Sequence, residues 1–288
     1  FDKGDYEKAK PLHVEAKDIL KKTLGKEHPI YAEALDDLAT LYLGIDNYEK
    51  AEQLYVESTA IREKVLGKGH PDYVSGLRNL APLYMAMGNY EKAEPLYVEC
   101  AQRSQSLLQK AVRHLSEREL RTYLDEFSKS QDQALSFVQL SANKIVAAAC
   151  FDNALFYKGF LLQATGQIKR MSFLNPVAAE SFSLLKSYER RLAAQYAQPI
   201  AERDSATVAE MESKANDLEK ELARTVAGFG QALRQVKWQQ VQAALKPNEA
   251  AIEFVHYRFY QKKQTDSTFY AALVLQPGTN APQFIPLF

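Results

Sequence analysis

Polar and apolar positions recur at a constant offset of 42 residues over the first third of the chain. "GDYEKAKPLHVEA" from Gly4 returns as "DNYEKAEQLYVES" from Asp46 and as "GNYEKAEPLYVEC" from Gly88. Tyr6, Tyr48 and Tyr90 fall in register, as do Ala9, Ala51, Ala93 and Leu12, Leu54, Leu96. "LGKEHP" (Leu24–Pro29) returns as "LGKGHP" (Leu66–Pro71), and "LATLY" from Leu38 as "LAPLY" from Leu80. The spacing predicts two antiparallel helices per unit. Leu38, Ala39 and Tyr42 share a face of the first, and Tyr48, Ala51, Tyr55 and Ser58 step by 3, 4 and 3 along the second. Gly25 and Gly67 end one helix, and Pro29 and Pro71 begin the next. This gives a lone second helix over 5–24, a full pair over 29–66 and a third pair from Pro71, in which Pro82 is expected to kink the helix. Repeats of this kind bury their apolar faces only against neighbours, so the 5–24 helix, with no partner ahead of it, is expected to expose apolar surface.

Past Cys100 the register is lost. Ser116 with Glu119 reads as a capping box opening a helix to about Leu140. A strongly apolar stretch from Asn143 then predicts a helix ending near Gly166, and Asn175-Pro176 opens another that Pro199 stops. From Ser205, the positions Val208, Met211, Ala215, Leu218, Leu222, Val226, Phe229 and Leu233 form a narrow apolar seam. Such a seam needs a cover. The 176–198 helix is the expected one, pairing between molecules the alternative. From Leu245 the character changes to β: "AAIEFVHYRFY", a polar stretch Gln261–Ser267, "TFYAALVLQPG" and, after a turn at Gly278-Thr279-Asn280, "FIPLF". The first two strands are expected to be antiparallel and the third only begun.

Two resemblances follow. The 42-residue units resemble the tetratricopeptide repeat, in the long variety of kinesin light chains and many bacterial proteins. The blocks "LSERELRTYLDEFSKSQDQALSF", "FDNALFYKGFLL", "KELAR" with Trp238 following, and "LKPNEAAIEFVHYRFY…FYAALVLQPG" resemble the connector and opening strands of bacterial proteins in which such repeats precede a CHAT domain. The expected fold is therefore mainly α: a helical-repeat solenoid over 1–110, a helical connector with long antiparallel helices over 111–240, and over 241–288 the first strands of an incomplete caspase-like α/β domain. That family resemblance implies a cysteine peptidase with a His–Cys dyad, the repeats serving as sensor or docking arm. It also implies that both dyad residues belong to later strands than those present. The sequence opens mid-repeat at Phe1 without Met and stops within a third strand, and so reads as a piece of a longer chain. A leader before Phe1 is left open.

The remaining chemistry is sparse. Thirty-six basic and thirty-six acidic residues balance, which gives no field for nucleic acid or an anionic membrane. The longest apolar run, Ile145–Phe151, is far short of a membrane span. Two cysteines make no disulfide framework and point to a reducing, cytoplasmic setting. Cys100 stands at the repeat position of Ala16 and Ser58, a packing slot, and Cys150 sits mid-helix in an apolar run. His28 and His70 recur before Pro as turn residues, and His256 belongs to a strand. No spacing suits a metal, and Gly228-Phe229-Gly230 follows no strand as a phosphate loop would; no cofactor is expected. Binding is what remains. First helices of stacked pairs line a groove, into which register would turn Glu33, Asp36, Asp37 and Thr40 from one repeat and Ser75, Arg78 and Asn79 from the next. The leading expectation is a protein-binding regulatory arm, itself without peptidase activity, whose ligand is a protein or peptide in that groove. The alternatives are a non-enzymatic adaptor and a self-associating structural protein.

Overall fold

The computed structural model describes residues 3–111, 117–172, 176–196, 198, 204–225, 236–261 and 264–287. It is mainly helical, with a small C-terminal sheet, and forms two compact units. One draws on Phe1–Leu107, Ser128–Ala154 and Lys237–Phe288, the other on Leu108–Phe127 and Leu155–Val236.

In the first unit the repeats become α1 (Lys3–Thr23), α2 (Pro29–Gly44), α3 (Tyr48–Leu66), α4 (Pro71–Ala86) and α5 (Tyr90–Ala111). Alanines permit the close approach of neighbouring helices: Ala32, Ala39, Ala51, Ala81 and Ala93 are fully buried. The repeats also reuse their polar contacts. Tyr31 donates to Glu57 Oε1 (3.5 Å), and 42 residues on Tyr73 donates to Glu99 Oε1 (3.2 Å). Lys50 and Lys92 sit over the rings of Tyr42 and Tyr84, at 5.2 and 4.8 Å. Pro82 is buried within α4, which continues to Ala86. On α1, Leu12 and Ile19 are exposed, at 68% and 53%.

Helix ends explain the recurring punctuation. The histidines expected as turn residues are N-caps: Nδ1 of His28 accepts from the Ile30 amide and Nδ1 of His70 from the Asp72 amide, both at 3.2 Å. Between the helices of a pair the chain must pass through positive φ. Gly88 does so at 72° in one repeat, and Asp46 stands at 60° in the other. The amides of Asn47 and Asn89 then reach back to the carbonyls of Tyr42 and Tyr84, both at 2.8 Å. The Asn47 and Asn89 side chains in turn cap α3 and α5 by accepting from the amides of Lys50 and Lys92.

Two longer helices follow, α6 (Glu117–Ser141) and α7 (Lys144–Ser172). The capping residue Ser116 lies outside the described residues. The helix expected to end near Gly166 runs on to Ser172. A single glycine inside a helix costs about 1 kcal/mol, which helical neighbours on both sides can outweigh. The C-terminal half of α6 packs on α5 through Phe137, whose ring lies 5.6 Å from that of Tyr90 and 4.9 Å from that of Tyr97. It meets α7 through Gln131, which donates to the Cys150 carbonyl (3.0 Å) and accepts from Asn153 (2.8 Å).

The second unit contains α8 (Pro176–Tyr196) and α9 (Ser205–Thr225). Ala178, Leu185 and Leu192 of α8 bury Met211, Ala215 and Leu222 of α9, with Val208 and Leu218 at the margin. Tyr196 at the end of α8 donates to Glu212 early in α9, so the pair is antiparallel and the described part of the seam is covered within the chain. Val226, Phe229 and Leu233, like Gly228-Phe229-Gly230, lie outside the described residues.

After α10 (Trp238–Ala244), in the first unit, come β1 (Ala251–Tyr260), β2 (Gln264–Leu275) and β3 (Gln283–Pro286), antiparallel in the order β1-β2-β3. The expected polar connector shrinks, because Gln264–Ser267 joins β2. Alternation in β1 exposes Ile252, Phe254, His256 and Arg258, while Tyr257 is 1% exposed. Gln242 of α10 holds the β2–β3 turn by donating to the carbonyls of Gln276 (2.8 Å) and Thr279 (2.7 Å).

One helix crossing is tight enough to test. A Cβ added at Gly76 would lie 2.5 Å from Thr59 Oγ1. Gly76→Ala is expected to destabilise the chain by about 1–3 kcal/mol, overpacking outweighing alanine's helix preference of about 1 kcal/mol. Thr59→Ala in the same chain is expected to recover most of that loss, as read by urea denaturation.

Candidate protein-binding site

The surface shared by α2 and α4 begins with a buried charge. Asp36 is 8% exposed. Ser58 donates to its Oδ1, Arg62 Nη1 lies 2.5 Å from Oδ2, and Asn79 Nδ2 donates to the same oxygen at 3.2 Å. One carboxylate thus ties α2 to α3 of its own pair and to α4 of the next. Both members of the ion pair are sequestered, with side chains 8% (Arg62) and 12% (Asp36) exposed. Such a pair persists when further hydrogen bonds satisfy its lone pairs, as Ser58 and Asn79 do here.

This corrects one expectation. Asp36 is buried rather than turned outward, because its carboxylate pairs with Arg62 across from it. Glu33, Asp37 and Thr40 are exposed on α2, and Ser75, Arg78 and Asn79 are half-buried on α4. Thr40 Oγ1 donates to the Asp36 carbonyl (2.9 Å) and shares a 2.8 Å hydrogen bond with the Tyr55 hydroxyl. Ser75 Oγ bonds back to the Pro71 carbonyl at 3.3 Å. Burial raises the Tyr55 phenol above its usual range, the Thr40 hydrogen bond opposes the rise, and Asp36, Tyr260 and Asp37 are near enough to add to it.

The sequence reading placed Tyr55 only on the buried stripe of its helix and did not single out Arg62. For Arg62 a signal existed. Its register partners are Leu20 and Ser104, so a lone arginine stands on the buried stripe of a helix and requires a carboxylate across from it.

The tetratricopeptide repeat family model matches residues 1–64 and 46–106. The chain carries tetratricopeptide repeats. Repeats of this kind bind protein partners and serve as adaptors and scaffolds. No curated protein matches the chain. Among solved structures, BtubC (BKLC) from P. vanneervenii is similar at 16% identity and a TM-score of 0.40, over 85% of this chain and 78% of that one.

Other candidate chemistry is quiet. Cys100 is buried beside Tyr73, Val74 and Leu77, and Cys150 is buried in α7. Burial pushes both thiols up from the usual thiol range. His256 is exposed on β1, its ring 6.3 Å from that of Tyr270. No cluster of metal-ligating side chains occurs among the described residues. None of their helices is long and apolar enough to cross a membrane. A cavity of about 650 Å³ lies between the α6–α7 elbow and β3, with Val138, Asn143, Lys144, Phe284 and Ile285 in its walls. Lys144 is its one ionisable group among the described residues.

The Asp36 cluster sets a stability test. Asp36→Ala leaves the Arg62 guanidinium buried without a counter-charge and is expected to destabilise the chain by about 3–5 kcal/mol. Replacing both partners with apolar residues, Asp36→Leu with Arg62→Met, is expected to recover most of it, measured by urea denaturation.

Proposed function

We propose that this chain is a protein-binding arm whose tetratricopeptide repeats receive an extended peptide segment along α2 and α4. The observation that carries this reading is the arrangement around Asp36. A buried cluster holds the first helices in register, and Glu33, Asp37 and Thr40 stand exposed beside Arg78 and Asn79. Such a row offers both donors and acceptors to a peptide backbone without needing to be remade on binding.

The finer reading is that the arm belongs to a bacterial, cytoplasmic repeat–CHAT protein and regulates a caspase-like cysteine peptidase. The likeness of several blocks within 115–288 to the connector and opening strands of that family supports it. In this reading the present chain contributes recognition and coupling, and no residue in it acts as nucleophile or base. The alternative, a non-enzymatic adaptor, shares the groove and differs only in lacking the peptidase.

Peptides selected from a random extended library on the full chain are expected to bind this groove. Glu33→Lys with Asp37→Lys, both exposed, should lower their affinity at least tenfold (about 1.4 kcal/mol) with the melting temperature unchanged. Peptides that bind equally well to that variant would refute the groove as the site. For the catalytic half of the reading, the purified chain is expected to leave unstructured protein substrates intact. Cys100 and Cys150 should take up maleimide only as the chain unfolds, followed by mass spectrometry against urea; prompt labelling in the native state would contradict it.

A further inference from the structure

Strand β3 is bonded to β2 along one side only. The Leu287 amide donates to the Tyr270 carbonyl at 2.9 Å, which makes these two a hydrogen-bonded pair of the antiparallel ladder. Bonded and non-bonded pairs alternate along such a ladder, so the next bonded pairs are Ile285 with Ala272 and Gln283 with Val274. Phe284, opposite Leu273, turns its N–H and C=O away from β2, and neither has a partner among the described residues. Two positions to either side stand Pro282 and Pro286, which have no N–H to give. The open edge thus offers one complete residue pair, at Phe284, and no donor at the next place in either direction.

This edge lines the cavity of about 650 Å³ whose other wall is the α6–α7 elbow, all within the first unit. That volume is ordinary for a site holding a small ligand. Bonds made inside the molecule decide what is left for an occupant. Asn143 is committed at both ends, Oδ1 accepting from the Val146 amide (2.9 Å) and Nδ2 donating to Glu94 Oε2. Thr279 donates to the Gln276 carbonyl and accepts from Gln242. Gln139 has its Oε1 taken by the Tyr257 hydroxyl, which leaves the N–H₂ end. Lys144 is exposed, and no carboxylate lines the cavity among the described residues. Donors from Lys144, Gln139 and the Phe284 amide therefore await an acceptor, beside apolar walls that include Val138 and Ala147.

We propose that this cavity receives the C-terminal end of an extended polypeptide partner. The carboxylate lies on Lys144 and Gln139, one residue pairs with the Phe284 backbone, and an apolar last side chain fills the space against Val138 and Ala147. Two observations favour a chain end over a passing segment. The prolines stop the pairing after one residue, and a C-terminus brings the negative charge that the walls lack. This is a second peptide site, and it does not rest on the α2–α4 groove.

The test uses the full chain and fluorescein-labelled pentapeptides of alternating threonine and valine whose last residue is valine, leucine or phenylalanine, each as free acid and as C-terminal amide. At least one free acid is expected to bind, and its amide about tenfold or more weakly. Lys144→Gln, at an exposed position, should bring the acid down to the level of the amide and leave the amide unchanged, while Lys144→Arg keeps the difference. N-methylation along the last three residues of the peptide should abolish binding at one position, a readout of backbone pairing that leaves the protein untouched. The chain with Glu33→Lys and Asp37→Lys should bind the acid as wild type does. Loss of binding there would place the peptide in the α2–α4 groove and overturn the proposal. Equal binding of acid and amide, or no binding by any of the peptides, overturns it as well. An amide carrying glutamate before its last residue that binds as tightly as the acid would overturn the chain end in favour of an internal acidic segment.

Discussion

A helical pair of this length cannot bury its apolar stripe within itself, and the first unit is organised by that constraint. Each pair must lean on the next, so what matters is the fit of one helix to a neighbour about 20 or about 42 residues away. Fully buried alanines at Ala39, Ala51, Ala81 and Ala93 allow the approach. Gly76 against Thr59 shows how little room is left. Where the repeat register fades after Cys100, the constraint does not. Phe137 of α6 takes up Tyr90 and Tyr97, and α7 closes on α6 through Gln131 and Asn153.

Against this apolar background, two buried carboxylates stand out by how many partners they hold. Asp36 holds Arg62, Ser58 and Asn79 at once, and Asp132 holds Arg258. Low surrounding dielectric makes an unpaired charge costly, and so each such cluster pins the geometry around it. The Asp36 cluster fixes the spacing of α2 and α4 on which the exposed row Glu33, Asp37 and Thr40 depends. Cys100 and Cys150 are buried, and burial pushes both thiols up.

Much of this was legible in the residues. The end of α1, the start of α2, the end of α3 and the start of α4 follow from Gly25, Pro29, Gly67 and Pro71, and the antiparallel hairpin of β1 and β2 from its aromatic and β-branched runs. The α8–α9 pairing follows from the 3–4 spacing of Val208 to Leu222, since a seam that narrow has room for one covering helix. Less legible were features that depend on a choice between equal local options. Asp36 and Asp37 are adjacent acids on one helix; only the position of Arg62 across from them decides which goes inward. Gly166 was a plausible stop, and the helix passes through it because the backbone on either side is already helical.

Local periodicity and turn chemistry are carried by neighbours in the chain, so the sequence by itself determined the repeat, its 42-residue register and the antiparallel pairing of β1 with β2. Assembly is decided by residues far apart. Only the tertiary structure brought 128–154 and 237–288 into one compact unit with the repeats, and so set Tyr257, Arg258 and Tyr260 against α6. The physical reason is range. A hydrogen bond between the Tyr260 amide and Ser136 Oγ spans 124 positions, and no pattern within either segment encodes its partner in the other.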